Sequence, residues 1–351
     1  MSTAAEALKS IRVAVVGTGE FGRNHARVYR ELAGVELIGV YDQNPERAAA
    51  VAAEYQTRVL KNLDELRGRA EAVSVAVPTV AHAEVGCRLM EMGLDVLVEK
   101  PMAVNLAEAD ALLAAAKKNG RILQVGHVER FNPAVIVVEP ILNRPLFFEV
   151  HRLGIFSARS LDVDVIYDLM IHDLDILLAL VNEPVTEVKA VGIPVLTDKV
   201  DIAHARLEFA GGAVANITAS RVSTERVRKM RFFQQHEYIS LDYARRDALR
   251  IGVKKPGPQP EFAFEKLNAP TAEPLHAELE AFVEAVRTRK EPRTNGAAGR
   301  AALELAGRVM ASIQEHTGRV NVMGDRRAID VMGSRNIADA GAFAARDKKS
   351  I

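Results

Sequence analysis

The chain has a single cysteine, Cys87, and no tryptophan among its 351 residues. One thiol can neither close an internal disulfide nor build a cysteine-rich zinc site, which fits a reducing compartment and leaves Cys87 as helix packing. Net charge is lacking too, with 46 Lys+Arg set against 46 Asp+Glu. No global positive field is available to hold nucleic acid or an anionic membrane, so any phosphate must be gripped locally. Long apolar runs are missing as well: Ile176 to Val181 falls far short of the ~20 residues needed to cross a bilayer. Met1 to Ser10 carry one lysine and no apolar core ahead of a cleavage site, so they do not read as an export signal. The expectation is a cytoplasmic protein with no nucleic-acid and no membrane partner.

What is present is enough apolar residue, 48%, to fill two cores. Up to about residue 126, short β-branched runs (12–16, 35–41, 72–77, 95–99 and 122–125) alternate with amphipathic stretches, the pattern of a doubly wound parallel sheet. Asn44-Pro45 reads as an N-cap and first-turn proline, Asn105 with Glu108 as a capping box, and Gly93 and Gly120 as helix stops. After residue 130 the pattern becomes a helix over 163–181, then strand-like runs at 188–195, 202–209, 213–220, 227–234 and 238–242. Strands with no helices between them, two joined at Gly211-Gly212, indicate a mostly antiparallel open sheet. Helices over 273–289 and 296–317 close it. The expected organisation is α/β followed by α+β: a Rossmann domain at 1–127, a substrate-binding and oligomerisation domain at 128–325, and a polar, Ala-rich tail at 326–351 whose last residues are expected to be poorly ordered.

Gly17-Thr18-Gly19-Glu20-Phe21-Gly22 follows the first strand directly and opens a helix, which makes G-x-G-x-x-G a strong dinucleotide signal. Gly17 permits the tight turn, Gly19 admits the pyrophosphate, and Gly22 lets helix and strand pack closely, while the helix N-terminus faces the phosphates. Glu20 and Phe21 lie between these glycines and belong to the same cofactor surface. About twenty residues on, Asp42 ends the second strand, where a carboxylate accepts from ribose hydroxyls and repels a 2′-phosphate. NAD is therefore favoured over NADP, although Arg47 stands close enough to meet a phosphate.

Val98-Glu99-Lys100-Pro101 ends a later strand on the sheet's carboxyl edge. With Asp168-Leu169-Met170-Ile171-His172-Asp173-Leu174-Asp175 it resembles the Gfo/Idh/MocA family of sugar and cyclitol dehydrogenases, over roughly residues 11 to 320. The resemblance implies that Lys100, Asp168 and His172 contact substrate and nicotinamide. It also implies that Glu99 and the Ala76, Pro78, Thr79, His82 stretch lie beside the cofactor. Gly126 to Pro133 looks like the variant of the branch that oxidises the 3-hydroxyl of UDP-N-acetylglucosamine on the route to lipid A amino sugar, and His127 and Arg130 become candidate substrate contacts. For Arg130 a domain-interface salt bridge is the competing reading. Family members pair through the open sheet, which implies a homodimer or homotetramer.

On an ideal helix Asp168, His172 and Asp175 share one stripe, opposite Met170, Leu174, Leu177 and Val181. Oxidising a secondary alcohol needs a base for the hydroxyl proton while hydride leaves carbon. Histidine suits that exchange at neutral pH, with Asp168 one turn earlier expected to hold the ring and Lys100 to stabilise the developing alkoxide. The alternative gives the base role to Lys100. No metal is expected: the Asp168, His172, Asp175 cluster lacks a second histidine or a cysteine at ligand spacing. No tyrosine is followed four residues later by lysine, which removes the short-chain dehydrogenase pattern. Another sugar or cyclitol as substrate, and a non-catalytic sensor of dinucleotide and sugar, remain the rival readings.

Overall fold

The computed structural model describes residues 10–157, 163–255 and 261–320; the expected tail lies outside them. The β-branched runs of the first half form five parallel strands, β1 (Ile11–Val16), β2 (Val35–Tyr41), β3 (Ala72–Val75), β4 (Asp95–Glu99) and β5 (Leu123–Gly126), in the order β2-β1-β3-β4-β5. β3, β4 and β5 are buried along their whole length, as strands covered on both faces must be. The covering helices are α1 (Glu20–Glu31), α2 (Pro45–Glu54), α3 (His82–Glu91) and α4 (Leu106–Asn119). Asn44 caps α2 by accepting from the Arg47 N–H, Asn105 caps α4 by accepting from Glu108 N–H, and Gly120 ends α4 at φ 61°.

The short α5 (Pro133–Val138) leads into the second half, where eight strands form one sheet. They are β6 (Phe147–Leu153), β7 (Val185–Ile193), β8 (Ile202–Phe209), β9 (Val214–Ser220), β10 (Val227–Gln234), β11 (Glu237–Asp242), β12 (Asp247–Lys255) and β13 (Glu261–Leu267), ordered β13-β12-β11-β10-β6-β9-β8-β7. Every neighbouring pair is antiparallel except β6 with β9. Helix α6 (Ile171–Val181) lies on one face, with Leu174 and Leu177 packed among Phe148, Val150, Ile217 and Phe232. Each such side chain contributes about 1.5–3 kcal/mol by leaving water.

Helix α7 (Pro274–Thr288) returns to the first half: its Leu279, Phe282, Val283 and Val286 join Val13, Val15 and Tyr29 in the Rossmann core. Helix α8 (Gly296–Val320) touches both cores, with Leu303 against the first and Ala302, Ala306 and Val309 against the second.

Four elements of the second half depart from the sequence expectation. β6 was not expected, because its inward positions are Phe148, Val150 and the buried Arg152, and the charge breaks the apolar alternation. β12 and β13 were missed at the sheet edge, where β13 is exposed at nearly every residue and little apolar burial marks it. The helix expected over 163–181 instead opens as a π-helical turn, Ile166–Met170, before α6 begins. One wide turn rotates Asp168 relative to His172, so the ideal-helix stripe does not apply across that joint.

Candidate functional site

The glycine loop crosses the carboxyl edge of the first sheet. Gly17 holds φ +90°, and a Cβ there would approach the Ala76 carbonyl oxygen to 2.5 Å. A Cβ on Gly22 would overlap the Gly17 carbonyl oxygen, so only glycine lets α1 start this close to the loop. Gly19 is different: a Cβ would meet nothing within 4 Å. It occupies the N-cap of α1 with no side-chain cap, leaving the first-turn N–H groups for an anion. The loop thus has the room and the donors that a pyrophosphate requires. Glu20 and Phe21 are exposed beside it, Phe21 by 57%.

Asp42 faces this loop. Its Oδ2 accepts from the Thr18 N–H at 2.7 Å and the Thr18 hydroxyl at 3.0 Å, and its Oδ1 accepts from the Asn44 N–H at 2.8 Å. Partial burial opposes the charge, yet the three donors outweigh it and hold the carboxyl below its ordinary range. Beside it opens a cavity of ≈ 880 Å³ lined by Thr18, Gly19, Glu20, Arg23, Arg47 and Tyr55, among others.

Lys100 follows β4 at the same edge and reaches the second half. Its Nζ donates to the Asp168 backbone carbonyl at 2.8 Å and lies 3.5 Å from the Asp168 carboxylate. The wide π-helical turn presents that carbonyl and carboxylate together. No hydrogen bond joins Asp168 to His172 among the described residues: the His172 Nδ1 is buried without a partner, and the carboxylate expected to orient it is turned to Lys100 instead. Burial first, then the charges of Lys100 and Arg152, push His172 well below its ordinary value, so the ring is neutral at physiological pH.

Other expected residues divide into those at the crevice and those turned inward. Pro78 is exposed and Thr79 half-buried just after β3, at the carboxyl edge. His82 is 1% exposed, with Nδ1 2.9 Å from the Pro101 carbonyl oxygen and Nε2 2.9 Å from that of Val77. Burial lowers its pKa, and the neutral ring, lying between the two carbonyls, donates to one of them. Glu99 is likewise not at the crevice surface: it is buried, accepting from His25 Nε2 at 3.0 Å and the Lys100 N–H at 3.1 Å. His127 is 1% exposed and neither ring nitrogen has a partner among the described residues; burial lowers its pKa also. Arg130 pairs with the buried Asp175 at 3.6 Å, the salt-bridge reading rather than a free guanidinium, and the same pairing removes Asp175 from a cluster with Asp168 and His172.

The geometry is matched by relatives along nearly the whole chain. Residues 11–127 fit the model described as oxidoreductase family, NAD-binding Rossmann fold, and residues 147–237 fit the GFO/IDH/MocA C-terminal domain. UDP-N-acetylglucosamine 3-dehydrogenase of Acidithiobacillus ferrooxidans is 38% identical over 308 residues, 87% of this chain and 97% of the relative. The chain belongs to the Gfo/Idh/MocA oxidoreductase family. A solved structure of that Acidithiobacillus enzyme superposes with a TM-score of 0.82 at 37% identity, covering 87% of this chain and 98% of the other. An inositol 2-dehydrogenase of Rhizobium meliloti is 27% identical over 87% of this chain and 98% of its own length. Levoglucosan dehydrogenase in complex with NADH and levoglucosan shares the fold at 19% identity, with a TM-score of 0.80 over 88% of this chain and 98% of the other. The Gfo/Idh/MocA assignment makes this chain an oxidoreductase of CH–OH groups with an NAD-binding Rossmann domain. No helix among the described residues is long and apolar enough to cross a membrane.

Two arrangements around the Gfo/Idh/MocA site escaped the sequence reading. Arg152 is buried behind α6, gripping Asp173 through Nε at 2.6 Å and Nη2 at 2.9 Å, and Glu129 through Nη1 at 2.8 Å, with its guanidinium 4.8 Å from the Tyr243 ring centre. His25, Glu99 and Glu278 form a second buried cluster. Asp173 adjoins His172 in sequence and was visible there, but its partner 21 residues away was not.

Proposed function

We propose that this chain oxidises a secondary hydroxyl of a nucleotide sugar, the 3-hydroxyl of UDP-N-acetylglucosamine, with NAD, in the supply of amino sugar for lipid A. The observation that carries the chemistry is the meeting of Lys100 with Asp168 beside a neutral His172, at the end of β4 on the edge that bears the glycine loop. The observation that favours the substrate is the 38% identity to the Acidithiobacillus enzyme across 97% of its length.

Bound NAD supplies the acceptor for hydride. The chain's own residues do the rest. Gly17, Gly19 and the first turn of α1 hold the pyrophosphate, Glu20, Phe21, Pro78 and Thr79 border it, and Asp42 takes the ribose hydroxyls. Asp42 also supports NAD over NADP, because a carboxylate held ionised by three donors repels a 2′-phosphate. Lys100, aimed by the Asp168 carbonyl and carboxylate, donates to the substrate oxygen and stabilises its alkoxide, a role worth on the order of 3–4 kcal/mol for one well-placed donor. His172 accepts the hydroxyl proton. Asp168 acts through Lys100 and not through His172. His127 and Arg130 support the substrate side from within, as the buried wall next to Asp175.

The outward face of the second sheet carries a row of aromatic rings. Phe147 and Phe233 lie 5.4 Å apart between centres, tilted by 38°, and Phe233 and Tyr238 lie 5.3 Å apart, tilted by 58°. Such a face supports pairing of copies into a homodimer or homotetramer, which light scattering measures directly.

The test is the rise in absorbance of reduced nicotinamide when NAD or NADP is mixed with UDP-N-acetylglucosamine, other nucleotide sugars, free sugars and inositols. Reduction with the UDP sugar and NAD in preference to the rest is the expected result. Binding without reduction across the panel would refute the reading.

A further inference from the structure

Glu278 sits on the face of α7 that packs against the first half, and it is completely buried. His25 of α1 and Glu99 of β4 surround it, and one side-chain atom from each of the three lies within 4.8 Å of the others. Gln124 of β5 donates its amide to the Glu278 backbone carbonyl at 3.2 Å, not to the carboxyl. Neither carboxyl oxygen of Glu278 has a hydrogen-bond donor among the described residues. Glu99 is the opposite case, with His25 on Oε1 and the Lys100 N–H on Oε2. Its carboxyl fits because residue 126 is glycine: a Cβ there would lie 3.0 Å from both oxygens.

Two buried carboxyls this close cannot both be ionised, since like charge and lost hydration act together to force a proton onto one of them. The surroundings decide which one. Burial opposes the Glu99 charge, but the His25 hydrogen bond and the Lys100 charge outweigh it and keep that group below its ordinary range. Burial, then the charges of Glu99 and Asp175, push Glu278 well above its ordinary range. Among the described residues, the titratable groups near Glu278 are His25 and Tyr29 from α1, Glu99 from β4 and Asp175 from α6. A neutral carboxyl can donate, and within this cluster Glu99 offers carboxylate oxygens as acceptors.

We propose that Glu278 is a neutral carboxylic acid donating its proton to the Glu99 carboxylate, and that this pair, braced by His25, makes Glu278 a positioning residue for Lys100. The proton stays shared between two carboxyl oxygens, so no group is consumed and no net charge moves. What the arrangement does is clamp Glu99, whose other oxygen holds the Lys100 backbone N–H, and so limit where the lysine stem starts. The effect on Lys100 rests on the role proposed for it above; the protonation of Glu278 does not.

Infrared spectroscopy of the full chain at neutral pH separates the two. The protein is expected to show the carbonyl stretch of a protonated carboxyl that Glu278→Gln lacks; spectra that do not differ in that band would mean an ionised Glu278 and overturn the proposal. Steady-state kinetics then test positioning. Glu278→Gln, which keeps a neutral donor of the same shape, is expected to retain kcat within about threefold. Glu278→Leu, which fills the space but cannot donate, is expected to lose on the order of tenfold or more in kcat with KM for the cofactor little changed. A folded Leu variant with full kcat, or a Gln variant as impaired as Leu, overturns the positioning role, and the Gln arm decides it if the Leu variant does not fold. Calorimetric titration with Zn²⁺ closes the remaining route: stoichiometric uptake by the unsubstituted chain, lost in Glu278→Gln, would make the cluster a metal site and overturn the shared proton.

Discussion

The Lys100 ammonium, carried by the first half of the chain, donates to the backbone carbonyl of Asp168, carried by the second, at 2.8 Å. The contact ties the carboxyl edge of the Rossmann sheet to the turn that precedes His172. It brings Lys100 close enough to His172 for its charge to help keep that imidazole neutral.

Substituting either member should therefore spare cofactor binding and damage turnover. Lys100→Met and His172→Asn are each expected to lower kcat by roughly a hundredfold or more, the usual scale for a positioned acid or base. Cofactor affinity, read from calorimetric titration with NAD, should stay within the normal range. Near-normal turnover in both variants would exclude these residues from the chemistry.

Asp42 holds its charge through three donors. Replacing it in Asp42→Ser removes a repulsion worth about 1–4 kcal/mol at contact distance, depending on solvent screening. The ratio of kcat/KM with NADP to that with NAD should rise roughly tenfold or more, helped by Arg47 lining the same cavity. An unchanged ratio would show that Asp42 does not read the ribose.

His172, His82 and His127 are all pushed below the ordinary histidine value of 6.5, burial being the first cause in each. In the unfolded chain these rings take up protons near 6.5, while in the native protein they do not. The unfolded state therefore binds more protons as the pH drops, and stability falls with it. Thermal unfolding is expected to show a midpoint that decreases from about pH 7.5 to about pH 5.5, with a shallower slope in His172→Asn. A midpoint that held steady or rose on acidification would contradict the neutral burial of these rings.

Arg152 pairs with Asp173 and Glu129 in a site where it is only 3% exposed. Arg152→Leu leaves the fully buried Asp173 without its counter-charge, a loss on the order of 3–5 kcal/mol. Urea denaturation should register that drop. Asp173→Asn together with Arg152→Leu should recover part of it, because the unpaired charge is then gone.

The phosphate loop was legible in the sequence because its chemistry is local. Gly17, Gly19 and Gly22 act within six residues, and the strand before them and the helix after them announce themselves by their own periodicity. The caps at Asn44 and Asn105 were readable for the same reason, each side chain closing on an N–H three residues ahead. The lysine after β4 and the Asp168 to Asp175 segment were visible as motifs, and their family resemblance carried the expectation that they meet.

Their orientations were not legible. One π-helical turn at Ile166–Met170 sends Asp168 to Lys100 and leaves His172 without it, and nothing in residue spacing distinguishes that turn from an ordinary helix. The family resemblance placed Glu99 and His82 beside the cofactor; the partners that their polar atoms take, His25 for Glu99 and the Pro101 and Val77 carbonyls for His82, are set by packing that residue spacing does not show.

By itself, then, the sequence determined the layering of the two halves and the presence of a nucleotide cradle, since both follow from patterns repeated over a few residues. Tertiary structure alone decided which carboxyl faces which cation, bringing His25, Glu99 and Glu278 together from two helices and a strand and drawing Arg152 under Asp173. The reason is that a buried charge takes its state from whatever packs against it, and those neighbours come from anywhere along the chain.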